Sequence, residues 1–165
     1  MKTLTAVIIS FILTMLGINV SNSSDTVSEL KVRIEGLSEP LTDTSEFNPE
    51  NLKRALKLYG IKNPDIVFKQ AILETGSFTS DIFKENNNLF GMKHPYVRTT
   101  TSLGSNRGHA LYFNWLDSVR DMAHFQDYYW YRIEHMHKDD YYSFLNDVYA
   151  TDKWYVNKLK NILNV

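Results

Sequence analysis

Apolar residues recur along this chain in different rhythms, and the rhythm changes where the structure should change. Leu4 to Leu16 is a nearly unbroken apolar run of thirteen residues, after Met1-Lys2-Thr3 and before Gly17 and the polar stretch Ser21 to Ser24. A short positive start, an apolar stretch and a small-residue exit form the layout of a secretory signal peptide, expected over residues 1–23. The run is shorter than the ~20 residues that span a bilayer. Residues 24–47 have no apolar period. They are rich in Ser, Thr, Asp and Glu and broken by Pro40, which predicts a flexible or loosely docked lead-in.

From residue 48 a helical period takes over. Asn48-Pro49 is a start signal, Leu52, Ala55, Leu56 and Tyr59 share a face, and Gly60 stops the helix. Asn63-Pro64 repeats the signal. The next helix, about 64–75, is apolar nearly all round through Ile66, Val67, Phe68, Ala71, Ile72 and Leu73, so it is expected to be central and buried. Residues 94–113 change to strand formers around the turn cluster Gly104-Ser105-Asn106, predicting a β-hairpin or small lobe. Helices then resume. Asn114 caps a long one with Leu116, Val119, Ala123, Trp130 and Ile133 on one stripe. Asp139-Asp140 opens a shorter one to about Tyr149, and Thr151-Asp152 caps a last one carrying Tyr155, Leu159, Ile162 and Leu163. The expected class is α+β and predominantly helical, a helical body with a small β-hairpin lobe flanking a cleft, over residues 48–165.

Composition narrows the chemistry. The chain has 165 residues, 43% hydrophobic and 22% charged, as a globular protein does. There are no cysteines, which excludes disulfides, thiol catalysis and Cys-ligated metals. The formal net charge is −1, so no basic field points to nucleic acid. His135-Met136-His137 has poor metal spacing for a helix, because i and i+2 face apart. No metal, no cofactor, no nucleic acid and no stable membrane insertion after signal cleavage are expected, and a monomer is expected.

One acid stands out. Glu74 lies seven residues after Val67 and three after Ala71, on the stripe of buried side chains at the end of the apolar helix. Desolvation raises a carboxyl pKa, and a carboxylic acid still protonated near neutrality can donate to a leaving oxygen. On pattern alone a surface Glu in a last helical turn fits equally well.

Three blocks of sequence add weight. Gln70-Ala71-Ile72-Leu73-Glu74-Thr75-Gly76-Ser77-Phe78 is the first. Asn88-Leu89-Phe90-Gly91-Met92-Lys93 is the second, and Tyr149-Ala150-Thr151-Asp152 with Tyr155 and Lys158-Leu159 is the third. Together, in this order, they resemble the signature of the bacterial peptidoglycan glucosaminidases of the lysozyme-like superfamily, glycoside hydrolase family 73, of the flagellar-muramidase and autolysin type. The signal-peptide layout predicts an exported protein, periplasmic or secreted and cell-wall associated, and the resemblance implies a hydrolase acting on peptidoglycan glycan strands, cutting the β-1,4 bond after N-acetylglucosamine. It implies Glu74 as general acid, with Asn88, Phe90 and Tyr149 lining the cleft. Asn88 offers amide groups to sugar hydroxyls, while Phe90 and Tyr149 offer flat faces to a ring. Phe90 fits plain core equally well, and Asn86-Asn87-Asn88 fits a turn. His109, on the predicted hairpin near Arg107, is a further substrate-contact candidate beside a reading as an exposed hairpin residue.

The sequence departs from the pattern at one point. Two-carboxylate glycosidases need a second acid, and the family places one on the hairpin lobe. Residues 93–114 contain no Asp or Glu. Asp117 fits a capping role, and Glu85 is another candidate. Three alternatives stay open: substrate assistance by the 2-acetamido group, a lytic transglycosylase route with one Glu, or a glycan-binding domain that cleaves weakly or not at all.

Overall fold

Two Asn-Pro pairs start the first two helices, and they do so differently. The computed structural model describes residues 40–129 and 138–163. Within it Asn48 is extended, and its side chain accepts the Asn51 N–H at 2.8 Å to open α1 (Pro49–Leu58). Asn63 takes a left-handed φ of 52° and its side chain caps nothing at α2 (Pro64–Glu74). The expected repeat of the first cap is replaced by a tight turn, which asparagine's tolerance of left-handed backbone permits. As the all-round apolar pattern predicts, α2 is central. Its Ile66, Val67, Phe68 and Ala71 are buried against Leu52, Ala55 and Leu56 of α1.

A short helix that the periodicity does not reveal follows, α3 (Asp81–Asn86), capped by Ser80 accepting the Phe83 N–H at 3.2 Å. With six residues and few buried ones, it has no period to read. The lobe is smaller than expected. Its strands β1 (Gly104–Asn106) and β2 (His109–Leu111) are antiparallel, with Gly104 opposite Leu111 and Asn106 opposite His109. Arg107 and Gly108 turn between them, both at positive φ. Residues 97–103, expected to be strand-like, are irregular. Thr101 donates to the Asp117 carbonyl at 2.6 Å and Ser102 to that of Gly104 at 2.8 Å, so side chains hold this backbone where a ladder would have.

Asn114 caps α4 (Trp115–Tyr128) by accepting the Asp117 N–H at 2.9 Å. Trp130, Ile133, His135 and His137 lie outside the described residues. Next come α5 (Lys138–Phe144), a π-helical turn over Leu145–Tyr149, and α6 (Tyr155–Asn161). The last helix begins three residues beyond the expected cap. Asp152 still serves it, accepting the Trp154 N–H at 2.9 Å through its side chain and the Tyr155 N–H at 3.0 Å through its carbonyl. The expected signal peptide and most of the acidic lead-in fall outside the described residues. The end of the lead-in does not. Phe47 packs its ring 4.8 Å from Phe83, 5.1 Å from Phe78 and 5.6 Å from Trp115. The Trp115 indole donates to the Ser45 carbonyl at 2.7 Å. The packed unit accordingly starts at Leu41. Among the described residues, no helix is long and apolar enough to cross a membrane.

Polar groups fasten the lobe to the body. Asn86, wholly buried, exchanges amide bonds with Asn106 at 2.9 and 2.7 Å, and Asn87 donates to the Tyr112 carbonyl at 3.2 Å. Arg98 grips Asp121 of α4 through two nitrogens at 2.7 and 3.0 Å, and the Tyr112 hydroxyl donates to the same carboxylate at 2.7 Å. Burial pushes the Asp121 carboxyl up. Hydrogen bonds from Arg98, Thr100 and Tyr112, with the Arg98 charge, outweigh it and hold the group below its ordinary range. Arg98→Met leaves Asp121 buried and unpaired and is expected to destabilise the domain by about 3–5 kcal/mol, read from denaturant midpoints. Arg107→Ala, which opens an exposed pair with Glu85, is expected to leave the midpoint in place.

Candidate active site

Glu74 is the last residue of α2, and the chain turns sharply behind it. Thr75, fully buried, donates its hydroxyl to the Ala71 carbonyl at 2.6 Å and accepts the Phe78 N–H at 2.8 Å. Gly76, Ser77 and Phe78 then run at φ of 55°, 58° and 65°. Two of these are not glycine, so the turn is strained by about 1–2 kcal/mol per residue. The Phe78 ring, locked among Phe47, Phe68 and Phe83, offsets that strain. The helix therefore stops where the Glu74 carboxyl meets an open cleft of about 740 Å³.

The cleft is walled by the segment before the hairpin, Phe90 to Pro95 with Arg98, by Phe125 of α4, and by Val148 to Asp152 with Tyr155 and Lys158. The hairpin strands do not line it. Gly91 forms the closest wall. Its φ is 63°, and a Cβ there would lie 2.6 Å from Glu74 Oε2. Only glycine lets the backbone pass this carboxyl undistorted.

Three side chains surround the acid. The Tyr155 hydroxyl faces the Glu74 carboxyl, both on the cleft wall, near enough to act on its charge. The Tyr149 hydroxyl donates to the Phe90 carbonyl, and its ring stands 5.6 Å from Phe125 and 5.8 Å from Tyr155. His109 Nδ1 lies 3.3 Å from the Gly91 carbonyl, which puts the imidazole behind the Gly91 wall, near enough for its charge to act on Glu74. Burial is the largest influence on Glu74 and raises its carboxyl above the ordinary value, against the opposing pull of Tyr155 and His109. Its position at a helix C-terminus, where negative charge is disfavoured, acts in the same direction as burial.

The residues expected at the site divide by location. Glu74, Phe90 and Tyr149 border the cleft. Phe90 is only 1% exposed, so most of its ring is core. Asn88 does not border it. Both amide hydrogens are donated, to the Met92 and Ala110 carbonyls at 2.9 Å each, and its oxygen accepts the Phe90 and Met92 N–H groups at 3.3 and 3.2 Å. That exhausts an asparagine's capacity. In place of the expected sugar contact, Asn88 shapes the loop that carries Gly91. Asp117 pairs with Arg120 at 2.6 Å and Glu85 with Arg107 at 2.9 Å, and neither lines the cleft. Among the described residues, Asp152 is the other acid on the cleft wall, held by Lys158 at 2.6 Å. No three His, Cys, Asp or Glu side chains converge on a metal position among the described residues. Gly91 and Tyr155 are neighbours of Glu74 whose place beside it periodicity does not reveal: Gly91 carries no period, and Tyr155 reads as one more position on the apolar stripe of the last helix. Their signal as site neighbours is membership of the second and third motif blocks.

A half-buried carboxylic acid in a cleft, with a tyrosine hydroxyl facing it, has the parts of an acid-catalysed glycoside hydrolase. The sequence profile of the glucosaminidase family, described as mannosyl-glycoprotein endo-beta-N-acetylglucosaminidase, matches residues 49–165. The chain belongs to that family and is a glycoside hydrolase of the endo-β-N-acetylglucosaminidase class. No curated protein matches it. Among solved structures it is similar to the catalytic domain of the autolysin Auto from Listeria monocytogenes. The two share 21% identity over 86% of this chain and 93% of that one, with a TM-score of 0.46.

A raised folded-state pKa means that the protonated form of Glu74 favours folding and that this contribution is lost as pH rises through it. Glu74→Gln is therefore expected to melt above wild type at about pH 8, with the gap closing toward about pH 4. A gap independent of pH would contradict a buried acid.

Proposed function

We propose that this protein is a peptidoglycan hydrolase that cleaves the β-1,4 bond after N-acetylglucosamine, with Glu74 as general acid. The observation that carries this reading is the convergence on one carboxyl. Glu74 of the first motif block, Gly91 of the second and Tyr155 of the third meet there. Burial keeps the Glu74 proton in place at pH values where an exposed carboxyl would have lost it. That proton passes to the glycosidic oxygen as the bond from the anomeric carbon breaks, and Glu74 becomes a carboxylate with the Tyr155 hydroxyl directed at it.

The positive charge at the anomeric carbon must be met from the other face. Residues 93–114 supply no acid, Glu85 and Asp117 do not line the cleft, and Asp152, which does, is paired with Lys158. The substrate's own 2-acetamido oxygen is the nucleophile this arrangement favours. It bonds to the anomeric carbon as the leaving oxygen departs. Water then opens the ring so formed, giving its proton back to Glu74. Tyr149 offers a ring edge inside the cleft, and Tyr96, 93% exposed and edge-on to His94 at 5.8 Å, offers a sugar-stacking face nearby. His109 is assigned a supporting contact behind Gly91. Residues 1–23 are assigned to export, which places the mature domain in the periplasm or the cell wall where this polymer lies.

Digestion of purified peptidoglycan, followed by borohydride reduction and mass spectrometry of the new ends, tests the reading. Wild type is expected to give reducing N-acetylglucosamine ends, and Glu74→Gln to lose at least about a hundredfold in rate. Anhydro-muramic ends would make it a lytic transglycosylase. Retained glycan binding with no products from wild type would make it a binding domain.

A further inference from the structure

One buried polar group in the core is not explained by packing. Gln70 lies one helical turn before Glu74 on α2, among Ile66, Val67 and Ala71, and is wholly buried. A buried amide among apolar side chains is costly unless its hydrogen bonds are made. Gln70 makes one of them. Its Nε2 donates to the Tyr155 oxygen at 3.3 Å, while Oε1 has no partner. A leucine would fill this space without an orphaned oxygen, so the amide's single bond is what distinguishes the residue.

The partner of that bond is the tyrosine that contacts the acid. A phenol has one proton to donate. With the Tyr155 oxygen accepting from Gln70, that proton is free to turn toward the Glu74 carboxyl, which shares the cleft wall with Tyr155. Burial keeps the phenol protonated, and so a donor, at any pH of interest. The reverse amide orientation would draw the hydroxyl proton toward Gln70 and away from Glu74.

We infer that Gln70 is a positioning residue of the active site, orienting the Tyr155 hydroxyl so that its hydrogen bond is already in place for the carboxylate Glu74 becomes on giving up its proton. A donor aimed in advance at developing charge lowers the barrier without reorganising during the step. The inference rests on Glu74 being the general acid. The other groups facing Glu74 are Tyr149 from the π-helical turn and His109 from β2. Arg98, Lys93 and the Asp152–Lys158 pair stand along the same cleft.

The test compares the purified wild-type protein with Gln70→Leu, Tyr155→Phe and the double variant. The Glu74 carboxyl is titrated by carbon NMR on glutamate-labelled protein, with the signal assigned by its loss in Glu74→Gln. Gln70→Leu is expected to raise the Glu74 midpoint, Tyr155→Phe to raise it as well, and the double variant to match Tyr155→Phe. On peptidoglycan, Gln70→Leu is expected to lower kcat about fivefold, the worth of one ordinary hydrogen bond, with KM unchanged. An unchanged or lowered midpoint would overturn the inference, as would a Gln70→Leu shift that persists in the Tyr155→Phe background. Gln70→Met, which keeps the side chain's length without its donor, carries the same expectations if the leucine variant does not fold. A wild-type protein that cleaves no glycan would refute the proposed activity, while the titration would still decide the Gln70 relay.

Discussion

Where the chain passes Gly91, its backbone runs so close to the Glu74 carboxyl that a single added carbon would stand 2.6 Å from an oxygen. Much of the local structure serves that approach. The four hydrogen bonds of Asn88 fold residues 88–92 into the required loop. The Leu89 N–H is fixed by Ser118 of α4 at 3.0 Å, and the Phe90 carbonyl is held by Tyr149. The strained turn at residues 76–78 ends α2 so that Glu74 faces the cleft. Buried polar groups, each nearly saturated, give this arrangement a definition that apolar packing alone does not supply.

The lobe, which carries no acid, shares in the same constraint. The hairpin meets the active site through its backing. Ala110 and His109 brace the Gly91 loop from behind, and Arg98 with Asp121 and Tyr112 fixes the approach to the lobe from the side. The side chains grouped around Glu74 come instead from helix ends: the C-terminus of α2, the π-helical turn and the start of α6. A π-helical turn here fits a general tendency of such bulges to lie at functional sites, and it is Tyr149, its last residue, that reaches across to the Phe90 carbonyl.

How much of this was legible depended on the kind of signal. The buried α2 followed from its run of apolar residues, and the Asn48 and Asn114 caps followed from residue type and spacing. The short α3, the left-handed Asn63 and the irregular 97–103 segment did not: α3 is too short to show a period, Asn63 adopts a turn its residue type permits without requiring, and 97–103 is held by tertiary hydrogen bonds that leave no period in the sequence. At the site, Glu74 stood out as an acid on an apolar stripe. Asn88 was legible as part of a motif but not in its role, since an amide that shapes a loop and one that binds a sugar are the same residue in a sequence. Gln70 was hidden for a related reason. It sits in a motif beside a more conspicuous acid, and only the three-dimensional placement of Tyr155 gives its amide a task.

The central claim is that the close packing of Gly91 against Glu74 sets the acid for its reaction, and Gly91→Ala tests it most directly. The clashing atom is the end of a flexible side chain, so the fold should survive with a loss of about 1–2 kcal/mol from left-handed backbone. The carboxyl, however, must move. The account predicts a domain that melts only slightly below wild type and cleaves peptidoglycan at least about tenfold more slowly. Cleavage at the wild-type rate by the folded variant would contradict it.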